Sequence, residues 1–78
     1  MVPARKRLPA AEKLGARVRS RRGELGWSQR VLAEEAGMDW SYVSQVERGE
    51  RNIALMNILR IAKALRINPA ELVRDLKP

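Results

Sequence analysis

The chain has 78 residues, no Cys and no His, and 16 basic against 9 acidic side chains, which gives a net charge of +7. This length predicts one small domain, and the composition excludes a disulfide framework, a thiolate metal site and a histidine general base. No apolar run approaches the roughly 20 residues of a membrane span, and the N-terminus lacks a signal-peptide core. We therefore expect a cytoplasmic, non-enzymatic protein without metal or other cofactor.

The positive charge is concentrated at the N-terminus. Residues 1–22 hold eight basic side chains and one acidic one, giving +7, whereas residues 23–78 hold eight of each, giving zero. A basic end on a neutral body is typical of a protein that contacts a polyanion. Residues 1–9 show no apolar periodicity and are expected to form a flexible basic arm, which could enter a minor groove or have no function.

Helix 1 is predicted from Ala10 to Leu25. One side of this helix carries a stripe of residues at spacings of four, four and three: Leu14, Val18, Arg22 and Leu25. All of them except Arg22 are apolar. Arg22 is therefore expected on the buried side of the helix. The arginines off this stripe are expected to remain solvated; they are Arg17, Arg19 and Arg21.

The middle of the chain predicts two short helices joined by a sharp turn. Helix 2 is expected from Gln29 to Ala36 and helix 3 from Trp40 to Arg48, with Gly37 supplying the positive φ of the turn. The expected N-caps are Ser28 and Asp39. Two helices joined by a short turn with Gly are typical of a helix-turn-helix motif.

Two further helices are predicted after a loop over residues 50–54. Helix 4 is expected from Leu55 to Leu65, and its apolar stripe consists of Leu55, Ile58, Leu59, Ala62 and Leu65. Helix 5 is expected to start at Pro69, with Asn68 as its N-cap. No strand pattern occurs, so the prediction is an all-α, five-helix domain.

One pair of charges is predicted to be structural. Glu47 lies beside the inward positions of helix 3, and Arg22 lies on the apolar stripe of helix 1. We expect a partly buried ion pair that sets the angle between these helices. The alternative is that Arg22 reaches solvent beyond its aliphatic stem.

The exposed side of helix 3 is the candidate site for DNA. An α-helix fits the major groove, and the N-terminal residues of such a helix meet the base edges. The candidate base contacts are Trp40, Ser41, Ser44 and Gln45. Ordinary polar surface is the alternative, and Trp40 could instead pack on the protein or lie against a sugar.

Groups around this helix could bind phosphates, which would position the protein without reading sequence. The candidates are Ser28, Gln29, Tyr42, Arg48, Arg51 and Asn52. Each is weak evidence when taken singly. Their arrangement around one helix is stronger evidence.

The chain from Leu14 to Leu72 resembles the Cro/C1-type (XRE-type) helix-turn-helix regulators. The matching segments include residues 25–29, 32–33, 36–37, 41–49, 51–52 and 58–65. The resemblance implies a lambda-repressor-like fold and a dimer on a palindromic operator of double-stranded DNA. It also implies that Gln29 touches the DNA backbone, that Trp40, Ser41 and Gln45 face bases, and that Arg22 and Glu47 pair.

Within that family, the run over residues 47–53 with Asn57 and Ile58 is similar to controller proteins of restriction–modification systems. This resemblance implies a small dimer that regulates its own gene and an endonuclease gene, as activator and repressor; an activator would also contact RNA polymerase. Two positions depart from the pattern. Trp40 stands where the group often has Arg, and Ala54 replaces the usual Ser or Thr cap of helix 4.

Residues 10–78 are thus expected to form the DNA-binding domain, including a C-terminal dimerisation surface. The candidate interface residues are Ile67, Leu72, Val73 and Leu76, unless they only close the monomer core. The alternative function is an antitoxin that binds a toxin protein and represses its own operon. RNA binding is a weaker alternative because no RNA-binding motif occurs.

Overall fold

The computed structural model describes residues 8–78, and within this range it is all-helical. Its elements are α1 (Pro9–Glu24), α2 (Gln29–Ala36), α3 (Trp40–Glu47), α4 (Leu55–Leu65) and α5 (Ala70–Val73). The predicted five-helix fold is confirmed. The helix limits agree with the predictions to within one residue, except that α5 is a single turn.

The predicted arm and α1 overlap by one residue. Residues 1–7 lie outside the described residues, whereas Pro9, which was predicted to belong to the arm, is the first residue of α1. Proline is well suited to this position, because the first helical residue has no intrahelical partner for an N–H group. Helix α1 therefore begins one residue earlier than predicted.

The core forms where the apolar faces of all five helices meet. Its most completely buried large side chains are Leu32, Ile61, Leu65, Leu72, Val18 and Val43. Trp27, which precedes α2, packs against this core as a partly buried residue. The stripe predicted on α1 is confirmed for Leu14 and Val18.

The α2–α3 turn has the local chemistry that the sequence predicts. The Ser28 hydroxyl accepts from the N–H of Val31 (3.2 Å), and the Asp39 carboxylate accepts from the N–H of Ser41 (3.1 Å). Gly37 ends α2 with φ +68°, in the left-handed region that glycine reaches at little cost. The two caps and this glycine define the geometry of the helix-turn-helix.

The apolar face of α4 lies differently from the predicted stripe. Its core-facing residues include Ile61, Ala62 and Leu65, whereas Leu55 is 68% exposed and Leu59 is 37% exposed. The side of α4 that faces the core is rotated relative to the predicted stripe, so Leu55 and Leu59 lie at its edge. No element among residues 8–78 covers them, and with Met56 they form an exposed apolar surface.

Two arginines predicted to be solvated are structural instead. Arg17 donates from Nη1 to the carbonyl oxygens of Leu72 (3.1 Å) and Arg74 (2.7 Å). Arg21 donates from Nε to the carbonyl oxygen of Leu65 (3.0 Å). These carbonyls lie at the C-terminal ends of α5 and α4, where they lack helical partners and where a cation is favourable. The prediction was wrong because these partners are distant in sequence.

The C-terminal segment also corrects part of the predicted dimer surface. The Asn68 side chain caps α5 by accepting from the N–H of Ala70 (2.8 Å). Leu72 is 1% exposed and belongs to the monomer core, so it is not available to a second chain. Ile67 and Leu76 pack against the core as partly buried residues, and only Val73 of the four is exposed.

Helix α1 lies directly against the C-terminal end of α3, and Gly15 makes this approach possible. A Cβ at position 15 would overlap the carbonyl oxygen of Val46 and lie 2.7 Å from that of Glu47. Both obstacles are backbone atoms, which cannot turn away as a side chain can. The position of α3 therefore depends on the absence of a side chain at residue 15.

Gly15→Ala should destabilise the domain by about 1–3 kcal/mol, because the overpacking outweighs the better helix propensity of alanine. The free energy of unfolding from urea titration measures the effect. Gly23→Ala is the matched control: it lies in the same helix, and an added Cβ there meets nothing within 4 Å. It should be neutral or stabilising by up to about 1 kcal/mol, and equal values for the two variants would contradict the contact.

Candidate nucleic-acid interface

A hydrogen-bonded network around Glu47 joins the first three helices. Arg22 donates to both Glu47 carboxylate oxygens, from Nε to Oε2 at 2.7 Å and from Nη2 to Oε1 at 2.9 Å. Gln29 donates from Nε2 to Oε1 at 3.0 Å, and Arg22 Nη1 donates to the carbonyl oxygen of Trp27 at 2.8 Å. The pairing predicted from the stripe of helix 1 is present in the structure, with two partners that the sequence did not predict.

The pair is sheltered from solvent. The Glu47 side chain is 2% exposed and that of Arg22 is 16% exposed. The hydrogen bonds to Glu47 raise the pKa of Arg22, and they outweigh the opposing effect of burial. The guanidinium therefore stays charged. Since α3 carries the candidate base contacts, the network fixes the orientation of the candidate site.

Arg22→Met should cost roughly 3–5 kcal/mol of stability, because it leaves a buried carboxylate with the Gln29 amide as its remaining side-chain donor. Urea unfolding measures this loss. Arg48→Met provides the control: it removes the same charge from the Arg48–Glu50 pair, in which the Arg48 side chain is 54% exposed, and pairs with such an exposed arginine contribute about 1 kcal/mol or less. A similar small loss in both variants would refute the structural role of Arg22.

The candidate base contacts lie on the outer side of α3. Trp40 is 46% exposed, Ser41 is exposed, and Ser44 and Gln45 are partly exposed. The Ser41 hydroxyl donates to the capping carboxylate of Asp39, so its oxygen remains as an acceptor. The structure brings all four residues to one surface, and their contact with bases stays a prediction.

A second network arranges the far end of this surface. Arg51 donates from Nε to the Gln45 amide oxygen at 2.6 Å, and its guanidinium lies 5.4 Å from the centre of the Tyr42 ring. The Tyr42 hydroxyl in turn accepts from the Asn57 amide at 3.1 Å. Gln45 keeps two N–H donors and one oxygen lone pair for a base, while Tyr42 keeps its hydroxyl proton for a phosphate.

The remaining candidates for phosphate contacts differ in exposure and in how many of their hydrogen-bonding groups are already used within the protein. Ser28 and Asn52 are exposed. Gln29 uses one amide N–H on Glu47 and retains the other. Arg48 forms an ion pair with Glu50 (Nε to Oε2, 3.1 Å), which partly neutralises its charge. Arg51 is thus a stronger candidate than Arg48 for binding a phosphate.

Two contacts of this surface could not be found by sequence pattern. Arg30 of α2 lies over the Trp40 ring, 4.7 Å from its centre, and Asn57 of α4 reaches Tyr42. Both join helices whose relative placement is a tertiary property.

Among residues 8–78, no cluster of three metal-binding side chains occurs, and no helix is long and apolar enough to cross a membrane.

Comparison with known proteins identifies the family. Residues 18–72 match the family model described as helix-turn-helix. The chain is 42% identical over 60 residues to control protein C.BamHI of Bacillus amyloliquefaciens, covering 76% of this chain and 74% of the relative. It is 50% identical over 48 residues to a hypothetical transcription factor of Neisseria meningitidis, covering 62% of this chain and 45% of the relative, less than half its length.

Solved structures show the same fold. The restriction–modification controller protein C.AhdI of Aeromonas hydrophila superposes with a TM-score of 0.81 at 49% identity, covering 83% of this chain and 98% of that one. A tetramer of the controller protein C.Esp1396I in complex with its 35-base-pair operator superposes with a TM-score of 0.79 at 26% identity, covering 88% and 91%. The resemblance noted from the sequence is confirmed. The chain belongs to the Cro/C1-type helix-turn-helix family of non-enzymatic, DNA-binding transcription regulators, which includes the restriction–modification controller proteins.

Proposed function

We propose that this chain is a homodimeric, sequence-specific regulator that binds a palindromic operator and controls its own restriction–modification operon from the cytoplasm. The observation that carries the proposal is the outer surface of α3. It places Ser41, Ser44 and Gln45 together with Arg51, on a helix held by the buried Glu47 carboxylate. Relatives named as control proteins support the choice of operon.

The N-terminal end of α3 enters the major groove in this proposal. Side chains in the first turns of such a helix meet base edges, while groups around it bind phosphate. Gln45 suits adenine, since an amide can bond N6 and N7 together. Arg51 holds the Gln45 oxygen and directs the amide, and its charge attracts the backbone nearby.

A second copy of the chain is the expected partner. Leu55, Met56 and Leu59 form an exposed apolar surface on α4, at 68%, 60% and 37% exposure. A symmetric dimer could bury this surface against its own copy. Val73 of α5, the exposed member of the interface predicted from the sequence, lines a groove of about 170 Å³ together with Ile58 of α4. The proposed interface therefore shifts from the C-terminal residues toward the beginning of α4.

The functional test uses DNA from upstream of the gene. The protein should protect an inverted repeat there in a footprint, with half-sites about one helical turn apart. Gln45→Ala should lose roughly 1–3 kcal/mol of specific binding and retain its weak affinity for unrelated DNA of equal length. Fluorescence anisotropy on both duplexes measures this, with circular dichroism to verify folding. Unchanged discrimination between the two duplexes would exclude Gln45 as a base contact.

The interface is tested separately. Leu55→Glu should convert a dimer into a folded monomer, because it places a charge in the apolar centre of the proposed contact. Sedimentation equilibrium measures the mass. Ala16→Glu introduces the same charge on an exposed position of α1 and should leave the dimer intact. A dimer that persists in Leu55→Glu would locate the interface elsewhere.

The antitoxin alternative has no observation in its favour, since the relatives reported above are regulators and control proteins. Contact with RNA polymerase remains an expectation of the activator role. Transcription from the operon promoter in a purified system, with and without the protein, would distinguish activation from repression.

A further inference from the structure

Arg30 and Trp40 form a stacked pair at the start of the recognition helix. Arg30 is the second residue of α2 and Trp40 the first of α3. The guanidinium carbon lies 4.7 Å from the centre of the indole ring, and both side chains are exposed. Packing in the core does not explain this contact, and it lies where base edges would be met.

The Arg30 guanidinium is free to bind an acceptor. Its stack on Trp40 is its one interaction with residues 8–78, in which it forms neither an ion pair nor a hydrogen bond. The other cations around α3 each have a hydrogen-bonded partner: Arg51 donates from Nε to Gln45, and Arg48 donates to Glu50. The contact with the Trp40 ring uses none of the N–H donors of the guanidinium, so they remain for an acceptor.

Trp40 has a limited capacity to distinguish bases by itself. Its one polar group is an indole N–H donor, and its ring offers apolar contact. A guanidinium, by contrast, presents two parallel donors that match O6 and N7 of guanine. The ring restricts the motion of the long Arg30 side chain, so less conformational entropy is lost when it binds.

We propose that Arg30, supported by Trp40, is a base-contacting residue that selects guanine at one position of each half-site. This inference rests on the proposed function, since it requires α3 to lie in the major groove. It adds a residue of α2 to the candidate base contacts on α3. Trp40 acts in it as the platform that positions the guanidinium.

The experiment selects bound sequences from a library of operators randomised in both half-sites. The full-length wild-type protein is compared with Arg30→Met, Arg30→Lys and Trp40→Leu. Arg19→Met is the charge-matched control, because Arg19 is exposed on α1 and no contact of it is found within residues 8–78. Affinities for the selected operator and for its guanine-substituted variants are then measured at several salt concentrations, and thermal melting verifies that each variant folds.

The expected result is a wild-type preference for guanine at one half-site position, of roughly tenfold or more. Arg30→Met and Trp40→Leu should lose it at that position alone, while Arg19→Met keeps it. Arg30→Lys should also lose it, since an ammonium is a point charge without the paired donors.

Two results would overturn the inference while leaving the proposed function in place. In one, Arg30→Met weakens binding to all sequences alike, lowers the salt dependence, and is rescued by Arg30→Lys, which identifies a phosphate contact. In the other, Arg30→Met leaves the selected sequence and its affinity unchanged. If the wild-type protein itself selects no sequence, the proposed function fails and the inference fails with it.

Discussion

The burial of the Glu47 carboxylate is the constraint on which the rest of this structure depends. A side chain that is 2% exposed must keep its charge satisfied, and the donors come from two other helices, Arg22 of α1 and Gln29 of α2. These donors can reach it only if α1 lies close against the end of α3, which Gly15 permits. The buried Glu47 charge, its two donors and the absence of a side chain at Gly15 thus depend on one another, because each would be unfavourable without the others. The consequence is that α3 has one orientation in the domain.

Part of the basic charge near the N-terminus serves the fold. A concentration of positive charge at one end predicts contact with a polyanion, but three of those arginines are engaged by the protein. Arg17 and Arg21 stabilise the carbonyl ends of α5 and α4, and Arg22 neutralises Glu47. The cations arranged around α3 come from the electrically neutral remainder of the chain; they are Arg30, Arg48 and Arg51. For Arg17, Arg21 and Arg22, a place in the basic part of the sequence does not mark a site for DNA, because a guanidinium serves carbonyls and carboxylates as readily as phosphates.

The fold could be predicted from the sequence to the extent that it depends on local interactions. The caps at Ser28 and Asp39 and the left-handed Gly37 act within a few residues, and α2 and the start of α3 were predicted correctly. The Arg22–Glu47 pair could be predicted because two charges on apolar faces have few other solutions. The exposed side of α4 and the stack of Arg30 on Trp40 could not, since both depend on how helices are placed relative to one another. Helical periodicity identifies an apolar side but not which part of it another element covers.

Rigidity in the monomer has a further effect if two copies bind one palindrome. The distance between two recognition helices then depends on the path from α3 through the core to the dimer contact on α4. Val43 and Val46 of α3 belong to the same core cluster as Ile61 and Leu65 of α4, and α2 packs against both of these helices. Such a path transmits small displacements, because cores are close-packed and deform little. Weakening the Glu47 network without unfolding the domain should therefore make the distance between the two α3 helices less well defined. A folded protein with the correct surface residues could consequently bind DNA while losing its preference for one operator spacing.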